Sequence, residues 1–244
     1  MRTIRVFTHQ SLRIGEETTL DEIASRHLVT VLRLKPGDEI TLFNGEGGEF
    51  QATLAHCKPK KATAMVSSFE NINRESPLNI HLGIGLSRGD RMDWVIQKAT
   101  EAGVTEITPL YTERTEVKLK GERVEKKLRH WQQISISACE QSYRTQLPRI
   151  SPPTSIDSWY RDTKAEKKLV LHHRSQQSIH ELKNNSVASV ALLIGPEGGL
   201  TEQEIKQAES AQFSALTLGP RVLRTETAPV IAIGILQSLW GDYQ

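Results

Sequence analysis

The sequence predicts a mixed α/β protein in two parts: a small β-barrel over residues 1–73, then a domain with a parallel sheet over residues 74–244. Three observations predict it. In the first part, apolar runs are short and broken by tight-turn chemistry, as in "KPGDEI" and "LFNGEGGEF", the pattern of a small barrel. In the second part, apolar runs of strand type alternate with helical ones, which implies a mainly parallel sheet covered on both faces. Finally, the loops "GPEGGLTEQE" and "LGPRVLRTETAP" each follow an apolar run and precede a helix. In open α/β sheets that edge is where ligands bind.

Taken in order, "HLVTVLRL" is apolar and β-branched, and "KPGDEI" turns through Pro36-Gly37-Asp38. "EITLFNGEGGEFQATLA" reads as strand, Asn44-Gly45 turn and strand, a hairpin signal. "KKATAMVSSFE" is another short strand, and "ENINRESP" is a polar linker ending in Pro77. "LNIHLGIGL" opens the second part as a strand. "SRGDRMDWVIQKATEAG" is a helix with Met92, Val95, Ile96 and Ala99 on one face and Gly103 as its stop. "TEITPLY" is a strand. A long helix follows in "GERVEKKLRHWQQISISACEQS", with Val124, Leu128, Trp131 and Ala138 at helical spacing. "KKLVLHH" and "VASVALLIG" are strands. "LTEQEIKQAES" is a helix opened by the capping box of Thr201 and Glu204. "FSALTLG" is a strand, and "APVIAIGILQSLW" is a terminal helix, apolar on most faces and so deeply buried or at a subunit interface.

Composition narrows the classes. The 31 basic and 29 acidic residues leave a formal net charge of +2, so any anionic partner is met by a local patch. Residues 77–170 carry sixteen basic against twelve acidic residues. Two distant cysteines, Cys57 and Cys139, make neither a disulfide framework nor a zinc set. The eight histidines show no metal-ligand spacing, so no metal is expected. The start "MRTIRVFTHQ" lacks an apolar signal core and no apolar run is long enough to span a bilayer. A cytoplasmic protein without a membrane span is expected.

Two familiar phosphate-binding patterns fit poorly. Gly83, Gly85 and Gly89 follow a strand, and Glu113 lies where a ribose-binding acid would sit, but the spacing is one residue too long and two of the glycines fall inside the strand. "GPEGGLTEQE" lacks the G-K-[ST] of a P-loop. The loop "LGPRVLRTETAP" instead sets Pro220, Arg221, Arg224, Thr225, Glu226 and Thr227 at the same sheet edge as the glycine loop, which points to one shared site.

The two loops together, "LLIGPEGGLTEQE" and "LGPRVLRTETAP", resemble the RsmE family of SPOUT-class methyltransferases. So do "SPLNIHLGIGLSRGDRMDWVIQKATEAGVTEITPLYTER" and "KLRHWQQISISACEQSYRTQLP", in order along the whole chain. One position departs: Tyr143 stands where a small residue is expected. The resemblance implies a trefoil-knotted SPOUT methyltransferase domain preceded by a PUA-like barrel that helps bind RNA, and a homodimer formed through the knotted domain. It implies S-adenosylmethionine bent in the knot and held mostly by backbone groups. The residues expected to hold it are Leu171, His172, Ile194, Gly195, Pro196, Gly198, Leu218, Gly219, Val222, Leu223 and Thr225. Leu218, Val222 and Leu223 would form the adenine slot, with Gly195, Gly198 and Gly199 bare for close approach to backbone. The implied reaction is methylation at ring N3 of a uridine in 16S ribosomal RNA, probed here against one alternative, an RNA-binding ribosome assembly factor without catalysis.

That chemistry needs an ordered donor, loss of the N3 proton, and a positive group for charge developing on the flanking carbonyls. Arg224 is expected in the last role, with Glu197 and Glu226 as candidate bases. Arg5, Arg33, Arg88, Arg91, Glu140, Gln141 and Arg144 are expected to contact RNA, as part of the assembled subunit, and Lys98 is a further candidate for phosphate. His172 and His173 close a strand at the site edge, with a lining role for the first.

Overall fold

The computed structural model describes residues 4–172, 175, 182 and 186–243. The chain divides into two compact units. The first comprises residues up to Glu75 together with Cys139–Leu147. The second comprises Ser76–Ala138 and the chain from Pro148 onward.

In the first unit, β1 (Arg5–Phe7), β2 (Glu17–Thr19), β3 (Glu39–Phe43), β4 (Glu49–His56) and β5 (Thr63–Glu70) form a sheet in the order β1-β3-β4-β5-β2. The expected hairpin is β3–β4, antiparallel with Thr41 opposite Gln51. Its connection holds Gly45, Gly47 and Gly48 at φ of +85°, +96° and +70°, a backbone that glycine adopts without steric cost. The run "HLVTVLRL" is not a strand. Asp21 caps α1 (Glu22–Arg26) by accepting from the Ala24 amide, and the helix continues through His27–Val31 with a wide turn in which Leu32 N donates to His27 O. Local capping has overridden the β-branched composition, with Leu28 fully buried under the sheet residues Val6, Ile40, Leu42 and Leu54.

The polar stretch read as a linker is tied down by its charges. Arg5 and Glu49 form a buried ion pair at 2.8 Å, with side chains 1% and 6% exposed. Arg74 joins the same Glu49 carboxylate at 2.7 Å. Glu75 meets Arg144 at 2.7 Å and accepts from the amides of Thr145 and Gln146. Burial pushes the Cys139 thiol up to about 12, so this cysteine is a packed, unreactive side chain.

In the second unit, β6 (Asn79–Gly85), β7 (Glu106–Tyr111), β8 (Arg149–Ile150), β9 (Thr154–Ser155), β10 (Lys167–Leu171), β11 (Ser189–Ile194) and β12 (Ser214–Leu216) form one sheet. Among the described residues its order is β12-β10-β11-β6-β7-β8, with β9 also beside β7, and every pair is parallel. The helices are α2 (Asp90–Glu101), α3 (Glu122–Ser142, whose last turn belongs to the first unit), α4 (Ile156–Asp162), α5 (Glu202–Ser210) and α6 (Thr227–Trp240). The sequence pattern predicts no element at α4; Ser155 caps it, and Trp159 and Tyr160 are buried. The core holds Ile80, Leu82, Ile84, Val95, Ile96, Trp131, Leu192 and Ile233, which is the face expected for α2. On α6, Ala232, Ile233 and Leu236 are buried while Ile231 is 38% exposed. No helix among the described residues is long and apolar enough to cross a membrane.

Packing explains the glycines of "GIGL". A Cβ on Gly83 would enter the Trp159 indole, and one on Gly85 would enter the backbone at Pro196. They lie within β6 as close-contact positions, not in a turn over a phosphate. Beside them, the His81 imidazole accepts from Trp159 Nε1 at 3.1 Å and lies 2.8 Å from the Thr108 hydroxyl, both through Nε2.

Two predictions concern stability. Removing one partner of a buried ion pair strands the other charge, so Glu49→Leu should cost about 3–5 kcal/mol in urea unfolding; a loss below about 1 kcal/mol would refute the role given to the Arg5 pair. Burial lowers the pKa of His81, against Glu106, which raises it, and with Arg149, which lowers it further. A folded pKa below the unfolded value of about 6.5 gives stability that is present above that pH and is lost as pH falls through the folded value. The urea midpoint should therefore drop between pH 7 and 5, and His81→Gln should flatten that drop. Equal slopes for the two proteins would count against the assignment.

Candidate functional site

Parallel pairing places the carboxyl ends of β10, β11 and β12 side by side: β10 pairs with both neighbours, and β11 continues to β6. The connections leaving them enclose a cavity of about 270 Å³. Its walls are Leu171 and His172 after β10, Ile194–Leu200 after β11, and Leu216–Leu218 with Arg221–Leu223 and Thr225 after β12. One side is apolar and the other is glycine backbone.

The glycine loop is shaped by its own bonds. Gly199 N donates to Pro196 O at 2.8 Å, and Gly199 has φ +71°. A Cβ on Gly195 would press against Leu200 N, and one on Gly198 would meet the Arg114 side chain. The close approach at Gly195 and Gly198 therefore comes from the protein chain itself. The capping box then starts α5: Thr201 Oγ1 accepts from Glu204 N, and Glu204 Oε2 accepts from Thr201 N. The other oxygen, Oε1, accepts from Glu113 N at 2.8 Å. This pins the segment after β7 against the glycine loop, and Arg114 Nη1 then donates to Gly198 O at 2.8 Å.

The arginine loop is set by Thr217, whose hydroxyl bonds Gly219 O at 3.1 Å. Gly219 has φ +128°. Arg224 O accepts from the amides of Thr227 and Ala228, so the Arg224 backbone is locked into the start of α6. Its side chain is 81% exposed and reaches Glu226 only at 4.0 Å. A second cavity, of about 240 Å³, is lined by Arg91, Glu197, Leu223, Arg224, Thr225 and Glu226. A third, of about 480 Å³, is lined by Arg88, Arg91, Glu113, Arg114, Thr115, Glu116, Glu197 and Gly198. Glu197 is on the wall of all three cavities.

Partial burial works to raise the Glu197 carboxyl, but bonds from its own amide, from Arg88 N at 3.2 Å and from Arg91 Nη1 at 2.9 Å outweigh it. The net effect holds it below the ordinary carboxylate value. It is an anchored carboxylate, ill suited to taking up a proton.

Most of the expected residues converge. All those expected at the cofactor line the first cavity except Gly219, while Arg224, Glu197 and Glu226 meet at the second. Arg88 pairs with Glu116, and Arg91 with Glu197. Lys98 is engaged by Glu101. In the first unit, Arg33 and Gln141 are exposed. Arg5 is turned inward, donating to the carbonyls of Cys139, Glu140 and Arg144 besides its pairing with Glu49. Arg144 is buried on Glu75, and the Glu140 carboxylate accepts from Phe7 N. These three have internal partners where contacts to RNA were expected. Tyr143 sits at φ +64° with its ring against the Arg5 and Arg74 guanidinium groups. His173 lies outside the described residues. Sequence reasoning assigned no role to Arg114, although its place just past the carboxyl end of β7 was the available signal. Among the described residues no group of three or more potential metal ligands gathers.

Comparison with known proteins gives the site its context. The family model of an RNA methyltransferase domain matches residues 74–237, and that of an RNA methyltransferase PUA domain matches residues 20–66. A curated relative from Buchnera aphidicola, named ribosomal RNA small subunit methyltransferase E, is 33% identical over 98% of this chain and 95% of its own. Among solved structures, the Neisseria gonorrhoeae ribosomal RNA small subunit methyltransferase E bound to S-adenosyl methionine is similar with TM-score 0.92 and 39% identity, covering 100% of both chains. A Legionella pneumophila protein assigned as a methyltransferase, in complex with the bound cofactor SAM, is similar with TM-score 0.96 and 42% identity over 99% of this chain and 100% of its own. With a PUA-like unit, a parallel α/β unit and near-complete coverage by these relatives, the chain belongs to the ribosomal RNA small subunit methyltransferase E family of RNA methyltransferases.

Proposed function

We propose that this protein uses S-adenosylmethionine to methylate ring N3 of a uridine in small-subunit ribosomal RNA, acting in the cytoplasm as a homodimer on the assembled subunit. The observation that carries the reading is the meeting of the cavity of about 270 Å³ with the Arg224 cavity along a common wall of Glu197, Leu223 and Thr225. One is shaped for a cofactor and the other for chemistry beside it.

The residues of the first cavity fit the cofactor. Leu171, Ile194, Leu218, Val222 and Leu223 offer an apolar slot for a base, and the glycine loop offers backbone for the polar remainder. Val222, 77% exposed, is an apolar side chain that such a base would cover. When bound, the cofactor supplies an activated methyl group on a sulfonium and needs no acid. We read the two loops as the crossing segments of a trefoil knot, supported by the approach of Pro196 to Gly85. The part-exposed Ile231 on α6 supports self-association through the same unit.

The chain's own residues then order the target and manage its proton. Arg224 is held by its backbone, and its guanidinium is 81% exposed with only a long contact to Glu226, so it can donate to the uracil carbonyl oxygen that gains charge as N3 loses its proton. One such donor is worth about 2.7–4 kcal/mol. Glu226, with its side chain 18% exposed, is the better candidate to receive that proton, because donors from Arg88 and Arg91 hold Glu197 ionised. Glu197 acts as a positioning residue that holds Arg91 and the start of α2.

Arg224→Ala should lower kcat by about 10²–10³-fold while changing cofactor affinity less than 2-fold by calorimetry; full turnover in the variant would remove Arg224 from the mechanism. The function itself is tested with small ribosomal subunits lacking the modification and methyl-labelled S-adenosylmethionine, followed by nucleoside analysis. Label in N3-methyluridine of small-subunit RNA is expected. Label in another nucleoside would discard the uridine assignment. No label from folded protein would favour an RNA-binding assembly factor.

A further inference from the structure

We infer that the cavity of about 480 Å³ beside the cofactor cavity is a second RNA subsite, taking a nucleotide that flanks the methylated one with its phosphate on Arg114. The inference rests on the proposed RNA methylation. It deepens that reading by giving a substrate contact to a residue so far seen only as a bond to Gly198 O.

Three observations carry it. The first is location. This cavity shares Arg114, Glu197 and Gly198 with the cofactor cavity, and Arg91 and Glu197 with the Arg224 cavity. A chain whose target base sits at Arg224 must run its neighbouring nucleotides past these walls. The second is charge. Arg88 is paired with Glu116 and Arg91 with Glu197, whereas no carboxylate lies within ion-pairing distance of Arg114 among the described residues. Its bond to Gly198 O engages one Nη1 donor. The remaining N–H groups of its fork suit the two oxygens of a phosphodiester.

The third is the mixed lining. A bare polyanion site would not carry Glu113 and Glu116 on its wall. A whole nucleotide explains them, because carboxylates accept from exocyclic base amines and from a ribose 2′-hydroxyl. The volume lies within the ordinary range for small-ligand sites, roughly 300–1,000 Å³.

The test compares wild type, Arg114→Ala and Arg114→Lys, all first checked for folding by thermal melting. Binding to small subunits lacking the modification is measured across a salt series without cofactor, and S-adenosylmethionine affinity is measured separately by calorimetry. For Arg114→Ala, RNA affinity should fall about tenfold, and the slope of log K against log salt should shrink by about 1, the loss of one phosphate contact. Because Arg114 also lines the cofactor cavity and bonds its glycine loop, cofactor affinity should fall too, but by clearly less than the loss for RNA. Arg114→Lys keeps the charge without the fork, so it should preserve the salt slope and lose part of the affinity. Unchanged RNA affinity and slope in Arg114→Ala would overturn the subsite. So would an equal loss of cofactor affinity, since Arg114 would then serve only the Gly198 loop. These readouts do not use turnover. A wild type that binds subunits but transfers no methyl group would defeat the proposed reaction and leave the phosphate contact measurable.

Discussion

One buried carboxylate organises the catalytic unit. Glu204 closes the capping box of α5 with one oxygen and holds the amide of Glu113 with the other. A carboxylate with 5% of its residue surface exposed must have partners, since an unpaired buried charge is costly. Hydrogen bonds to an ionised acceptor are also about twice as strong as neutral ones. The consequence is spatial. The glycine loop after β11 and the segment after β7 are separate in sequence, and Glu204 clamps them together. Arg114 then reaches Gly198, and Glu197 is presented to Arg88 and Arg91. The three cavities meet on that loop at Glu197.

The site divides its charges by how firmly each is held. Glu197 accepts from Arg88 N and Arg91 Nη1 and is held ionised, so its value is geometric. Arg224 has a locked backbone and an exposed guanidinium whose contact to Glu226 is long, at 4.0 Å, which is the arrangement a transition-state donor needs: positioned, yet only loosely engaged in the ground state. The cavity of about 270 Å³ sets three charged side chains, Arg114, Glu197 and Arg221, around an apolar wall and glycine backbone. Its apolar wall and glycine backbone suit a ligand recognised by shape and by main-chain groups.

The first unit solves a different problem with similar means. Its segments from the start of the chain, from "ENINRESP" and from 139–147 are joined by Arg5–Glu49–Arg74 and Glu75–Arg144. Stripping water from such charges costs several kcal/mol for each ion, so the pairs hold position more than they add net stability. The aromatic ring of Tyr143 lies over two of these guanidinium groups. A bulky side chain is thereby accommodated in a left-handed backbone conformation that favours glycine.

Local chemistry made much of this legible. Period, turn and cap signals depend on residues a few positions apart, so the β3–β4 hairpin, the face of α2 and the Thr201–Glu204 box could be read directly. So could the convergence of "GPEGGLTEQE" and "LGPRVLRTETAP", because parallel strands put their carboxyl ends on one edge. Where a non-local partner decided the outcome, the sequence was silent. Ahead of "HLVTVLRL" the Asp21 cap was a local helix signal, but the burial of Leu28 that completes the packing was not written nearby. Nothing in "ENINRESP" showed that its acids and arginine had partners far along the chain. Arg5 and Arg144 looked like surface cations, and only the fold revealed carboxylates waiting inside for them. Arg114 became part of the site through a carboxylate ninety-odd residues away. The sequence by itself determined most of the elements, the family and the two loops of the site. Tertiary structure alone decided which charges face inward and which remain for a ligand, because a charge's role is set by neighbours brought to it through space.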